Sequence, residues 1–220
     1  MKLLHWLILI LFIIGLVMIG YGLIFNSDEV VEDQFSTIPE EELVLFYNRS
    51  YVEDVPLTWG DLKNLVVDFG VSDVAVVALG RADNVSYSPE IFSILLAQQG
   101  GGLDDLESDI ALSALKFYLE FADRSKKVYT WSGSYGNSLE EFSLGRVAMV
   151  FAREIDKEKF SLIDFGMSSF PKIDINQLSI PYIPASEVNS LILKDMIEQV
   201  ALGRLSSEEA LMEANLRINE

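Results

Sequence analysis

The 220-residue sequence holds no cysteine, and its only histidine is His5. The first absence excludes disulfides, thiolate metal sites, a cysteine nucleophile and the lipid-modified cysteine that tethers many surface proteins. The second excludes histidine general bases and histidine metal ligands from everything beyond the first few residues. Basic residues are also scarce, with 16 Lys and Arg against 34 Asp and Glu, for a net charge of −18. A surface of that sign repels phosphate backbones and anionic lipid heads, so nucleic acid is not an expected partner. The simplest role of the acid excess is solubility.

Chemistry-bearing patterns are equally sparse. Gly100-Gly101-Gly102 follows a helical pattern instead of a strand, which makes it a poor phosphate cradle. Asp104, Asp105, Glu107 and Asp109 cluster beside it without the ligand spacing of an EF-hand loop, and read as a solvated helix entry. The pair Glu140-Glu141 sits at a helix start, where the helix dipole accounts for it. No cofactor, no metal and no catalytic activity are expected.

Long apolar runs are confined to one place. Leu3 to Phe25 contains no Asp, Glu, Lys or Arg. As a helix it would rise roughly 35 Å, enough to cross a hydrocarbon core of about 30 Å. Lys2 precedes it, and Asp28, Glu29, Glu32 and Asp33 follow. That asymmetry predicts a single-pass membrane protein with a cytoplasmic N-terminus and an extracytoplasmic C-terminal domain. A cleaved secretory signal is the rival reading, with Gly20-Tyr21-Gly22 as its small-x-small candidate, although that tripeptide lies inside the apolar run. Both readings export the remainder. The expected organisation is an anchor over 1–25, a polar, acidic stalk over 26–42 and one domain over 43–220.

Within that domain, short apolar runs alternate with amphipathic segments. Leu43–Tyr47, Val74–Leu79 and Val147–Ala152 read as buried strands, with Phe165–Phe170 as a fourth. Thr58 and Asp61 open one helix, and Ser88-Pro89 opens a second that runs to about Gln99. Ser108–Ala122 is a third, with Ile110, Ala114, Phe117 and Phe121 on its apolar stripe. Ser138 and Glu141 predict a capping box for a short helix that Gly145 ends, and Ser186–Leu202 and Ser206–Ile218 close the chain. The alternation predicts an α/β domain.

The stretches ALSALKFYLEFAD (111–123) and VYTWSGSYGNSLEEFSLGRVAMVF (128–151) carry a familiar arrangement. A Phe-Tyr pair on a helix precedes a Tyr-Thr-Trp loop. A Ser-x-x-x-Phe-x-x-Gly-x-x-Ala-Met unit follows, formed by Ser138, Phe142, Gly145, Ala148 and Met149. Upstream, LFYNRS, LTWGDL, VALGRADNV and ILLAQQGG stand in matching order, and MIEQVALGRLSSEEALMEANLRINE closes the chain. This order resembles the bacterial extracellular solute-binding proteins, the sugar-capturing partners of ABC importers. The resemblance implies a single lobe of a periplasmic-binding-protein-like fold, roughly the second of the two. The first lobe's opening strand and helices have no counterpart, and Ile173–Pro184 is a short loop where the family returns to that lobe.

A single lobe cannot close on a ligand as a hinged pair does. Where the family often follows Ala-Met-x-x with a Gly and a sugar-stacking aromatic, this sequence has Ala152-Arg153-Glu154. The remaining candidates for a ligand site are Trp131, as a stacking platform, with Tyr135 and Asn137 as polar contacts. Arg81, Asp83 and Asn84 join them at a strand end, where α/β ligand sites lie. The bland alternatives are that Trp131 packs against the preceding helix and that Arg81–Asn84 is a solvated turn. Trp59, Tyr47 and Asn48 read as structural. The expected partners are the membrane, a sugar ligand, and an ABC permease or a second-lobe protein. A non-catalytic interaction ectodomain that has lost its ligand is the competing functional reading.

Overall fold

In the computed structural model, residues 42–70, 72–174, 176 and 186–220 are described, all within one compact unit spanning Pro39–Glu220. The expected anchor and stalk fall outside the described residues, as does most of the 173–184 loop. Among the described residues no helix is long and apolar enough to cross a membrane.

Four strands form one sheet: β1 (Leu43–Asn48), β2 (Ala75–Val77), β3 (Val147–Arg153) and β4 (Phe165–Ser168), in the order β2-β3-β1-β4. β2 and β3 are parallel, whereas β1 runs antiparallel to both β3 and β4. The carboxyl ends of β2, β3 and β4 therefore lie at one end of the sheet. β1 and β3 are central and covered on both faces, so they are unbroken apolar runs without alternation, as buried strands are.

Each face of the sheet carries an aromatic cluster. On one, Phe46 meets Phe142, Phe160 and Phe165, with ring centroids 4.8–6.4 Å apart. On the other, Trp59, Phe117, Phe151 and Phe170 stand 4.6–5.7 Å apart. Burying Phe46, Phe142, Phe151 and Phe160 contributes roughly 1.5–3 kcal/mol each. Trp59 is thus a core residue, its indole N–H donating to Gln98 Oε1 at 2.8 Å.

Among the described residues six α-helices flank the sheet: α1 (Trp59–Phe69), α2 (Ser88–Gln98), α3 (Asp109–Leu119), α4 (Ser138–Ser143), α5 (Glu187–Ala201) and α6 (Ser207–Ile218). Thr58–Asp61 and Ser206–Glu209 are reciprocal capping boxes, as their spacing predicts. Gly145 adopts the left-handed conformation, φ 69°, that lets α4 turn into β3.

Three local expectations are corrected. Ser88 is the first residue of α2 and buried; Tyr87 caps the helix through its backbone, with a left-handed φ of 59°. Asn137, not Ser138, caps α4, because Ser138 and Glu141 are drawn into contacts outside the helix. The buried stripe of α3 is Ala111, Ala114, Leu115 and Tyr118, with Ile110 exposed. Tyr118 goes inward because its hydroxyl finds a partner there, donating to the Arg81 carbonyl at 2.7 Å. A 3-10 helix over Glu154–Phe160 follows β3, and its sequence signal is the Arg153 to Asp156 spacing, where Asp156 Oδ2 accepts from the Arg153 amide at 3.1 Å.

Candidate functional site

Beyond β2 the chain stays buried through Leu79, turns at Gly80, and runs as a loop from Arg81 to Tyr87 before entering α2. This loop stands at the carboxyl end of a parallel strand, the position where α/β sheets bind ligands. It meets a second loop, Ser132–Asn137, which leads into α4, and the side of α5. All six residues singled out in the sequence lie in this neighbourhood.

Asn84 is its centre. The side-chain amide donates to the carbonyls of Ser132 at 2.9 Å and Tyr135 at 3.1 Å, while Oδ1 accepts from the Trp131 indole N–H at 2.8 Å. The Asn84 carbonyl also accepts from the Ser138 amide at 2.9 Å. One side chain thus fixes both ends of the Ser132–Tyr135 turn and the tryptophan beneath it.

Arg81 and Asp83 form a second knot. The guanidinium binds both Asp83 oxygens, Nε to Oδ1 at 2.8 Å and Nη2 to Oδ2 at 2.7 Å, and Nη2 reaches Glu198 Oε1 at 3.0 Å. Glu198 Oε2 accepts from the Asp83 amide at 3.2 Å, which ties α5 to the loop. Hydrogen bonding to Arg81 holds the Asp83 carboxyl below its ordinary range. Gly133 rests above this ion pair; a side chain there would place its Cβ 3.2 Å from Arg81 Cζ.

Trp131 is fully buried, and the Tyr135 ring lies flat over it, with centroids 4.4 Å apart and 12° between planes. Trp131 therefore has no surface of its own for a ligand, which corrects its expected role as the platform. The physical reason is its N–H, which is satisfied inward on Asn84. Tyr135 is half-buried, so the ring within reach of a ligand is Tyr135, with Trp131 as its backing. Around it, the Ser132 and Ser134 hydroxyls pair at 2.7 Å. Asn137 caps α4 through Oδ1, 3.0 Å from the Leu139 amide, and its amide group donates to Ser86 Oγ at 3.1 Å. Glu141 braces the turn from below, with Oε1 accepting from the Gly136 amide at 3.0 Å.

A further cluster extends the edge toward β3. The Tyr87 hydroxyl donates to the buried Asp156 at 2.8 Å, and burial pushes that hydroxyl up to about 12. Arg153 lies 5.1 Å above the Tyr87 ring and 3.4 Å from Glu90. Sequence reasoning missed Ser86, Tyr87, Ser132, Ser134, Glu141 and Glu198. Glu198 is 115 residues from Asp83 and carries no local signal, but Ser132 and Ser134 flank Gly133 in a turn already marked by its glycines. A separate open groove of about 590 Å³ lies where α3 ends beside the α5–α6 turn, and of the loop residues above it includes only Gly80.

No protein-family model and no curated protein matches this sequence. Among solved structures, it is similar to a maltose/maltodextrin-binding domain, MalE from Bdellovibrio bacteriovorus, bound to maltotriose. The TM-score is 0.61 at 13% identity, over 81% of this chain and 70% of that one. At that identity the likeness establishes the fold alone. The four-stranded mixed sheet with flanking helices is the part of the fold that the two share.

Proposed function

We propose that this chain is a non-catalytic, membrane-anchored solute-binding-like protein of the extracytoplasmic face, whose lobe holds a carbohydrate against Tyr135. The observation that carries this reading is the convergence at the sheet's carboxyl end. Tyr135 is stacked on a buried tryptophan, with the Ser132, Ser134 and Asn137 polar groups beside it. A pyranose ring is recognised by such a pairing of an aromatic face with a polar fringe. The solute-binding fold and the sugar bound by its structural neighbour support the same ligand class. Docking on an ABC permease follows as part of this reading.

A second reading has specific support. The side chains of Arg81, Asp83 and Asn84 each bond to the protein itself. That arrangement also suits an interaction ectodomain that keeps the lobe without a ligand. Intrinsic fluorescence of the full-length chain, titrated with mono- and oligosaccharides in a non-sugar detergent, separates the two. A saturable change that Tyr135→Phe retains and Tyr135→Ala abolishes is the expected result. A flat response across the panel would overturn the carbohydrate reading and leave the interaction ectodomain.

A further inference from the structure

The charge around the Tyr135 ring has a predominant sign. From Val128 to Gly145 the chain has no Lys, Arg or His and carries Glu140 and Glu141. Glu141 is buried and held against the Tyr135 turn by the Gly136 amide at 3.0 Å, so its position is fixed. Arg146 reaches it only at 3.6 Å, with 62% of its own side chain in water. On the other side of the turn, the single charge of Arg81 is met by two carboxylates, Asp83 and Glu198. The Tyr135 hydroxyl is raised above its ordinary range by burial first, with Tyr129, Glu141 and Asp73 adding to it.

An aromatic face attracts cations through its quadrupole. A cation placed on Tyr135 gains from the ring and from the carboxylates together. A neutral solute gains only the first, and an anion is opposed by both. Over longer range, a chain of net charge −18 draws cations toward it and turns anions away. The protein already uses this contact elsewhere, with guanidinium groups 5.1 Å over Tyr87 and 5.9 Å over Tyr129.

Building on the assignment of Tyr135 as the platform, we propose that the lobe selects a small solute carrying an ammonium group, seated over Tyr135 on the side of Glu141. Among saccharides, an amino sugar fits that description.

The test uses the full-length chain in a non-sugar detergent at low salt, titrated in parallel with glucosamine, glucose, glucuronate and tetramethylammonium. Expected is saturable binding of glucosamine, roughly fivefold tighter than glucose, weakened by added salt, with glucuronate weakest. Glu141→Gln keeps an oxygen for the Gly136 amide while removing the charge, and is expected to erase the preference for glucosamine. Should that variant fail to fold, the ranking of the four probes on the wild-type chain still decides. Glucose binding as tightly as glucosamine would overturn the charge selectivity and leave the carbohydrate reading standing. Binding of tetramethylammonium alone would overturn the carbohydrate reading and leave the cation site. No response to any of the four would overturn both.

Discussion

Replacing Asn84 by Ala tests whether one side chain holds the site together. The substitution strands the Trp131 indole N–H, which is fully buried and has Asn84 Oδ1 as its acceptor. It also strands the carbonyl of Tyr135 and leaves that of Ser132 with the Tyr135 amide alone, at 3.4 Å, but both belong to half-buried residues that water can reach. A buried donor left unsatisfied costs about 1–3 kcal/mol, and exposed acceptors much less, so a loss of about 2 kcal/mol is expected. With a urea slope of about 2 kcal/mol/M, the unfolding midpoint should fall by roughly 1 M at constant slope. Asn84→Asp provides the internal control. It keeps the acceptor for Trp131 but sets a carboxylate against two carbonyl oxygens. NMR of the 15N-labelled tryptophan indoles should then show rapid hydrogen exchange at Trp131 in Asn84→Ala and retained protection in Asn84→Asp. An unchanged midpoint in Asn84→Ala, with the Trp131 indole still protected, would refute the claim that Asn84 organises this edge.

Two further outcomes follow from the same geometry. Gly80 has φ 90°, and a Cβ added there would stand 2.6 Å from the Ala122 backbone nitrogen. Gly80→Ala should therefore cost at least about 2 kcal/mol, lowering the thermal midpoint by roughly 4–8 °C in calorimetry; an unchanged midpoint would show that the loop yields freely. The Asp83 carboxyl is held below its ordinary value of 3.8, chiefly by the hydrogen bond to Arg81. A depressed folded-state pKa contributes stability that is present above that ordinary value and lost as pH falls through the folded one. The stability gap between wild type and Asp83→Asn should thus be widest near about pH 7 and shrink toward about pH 2. A gap that stays constant in urea titrations across that range would remove the ion pair from the account.

Much of the scaffold could be read locally because its causes are local. Apolar runs marked β1, β2 and β3, since β1 and β3 are buried on both faces and need no alternation. Thr58–Asp61 and Ser206–Glu209 were readable because nothing else competes for those side chains. The failures share one cause, tertiary demand on a residue whose local role looked settled. Ser138 has the right spacing from Glu141 for a capping box, yet its hydroxyl accepts from the Ser86 amide at 2.9 Å and Glu141 braces Gly136. Tyr118 lies off the expected stripe of α3, yet it is buried because a carbonyl from the loop after β2 receives its hydroxyl. The neighbourhood of the candidate residues was legible from the carboxyl end of β2, but their division of labour was not. Burial alone distinguishes the buried Trp131 from the half-buried Tyr135, and burial depends on the Asn84 contact that no sequence spacing reveals.

The same contacts bear on what this sheet edge can do. Binding a small solute is favoured when ordering costs are met beforehand, and Asn84 and Glu141 already fix the Tyr135 turn. Enclosure is the missing contribution. A ligand pocket ordinarily buries most of its ligand's surface, whereas one sheet edge can cover only one side. Preorganisation without enclosure yields selective but weak contact, in which the on-rate and the sign of charge matter more than buried area. Under the proposed reading, the other side would come from a permease surface or a second-lobe protein. Under that reading, an edge that presents a rigid aromatic ring beside carboxylates needs only modest affinity of its own, since a solute shared between two surfaces is held by both.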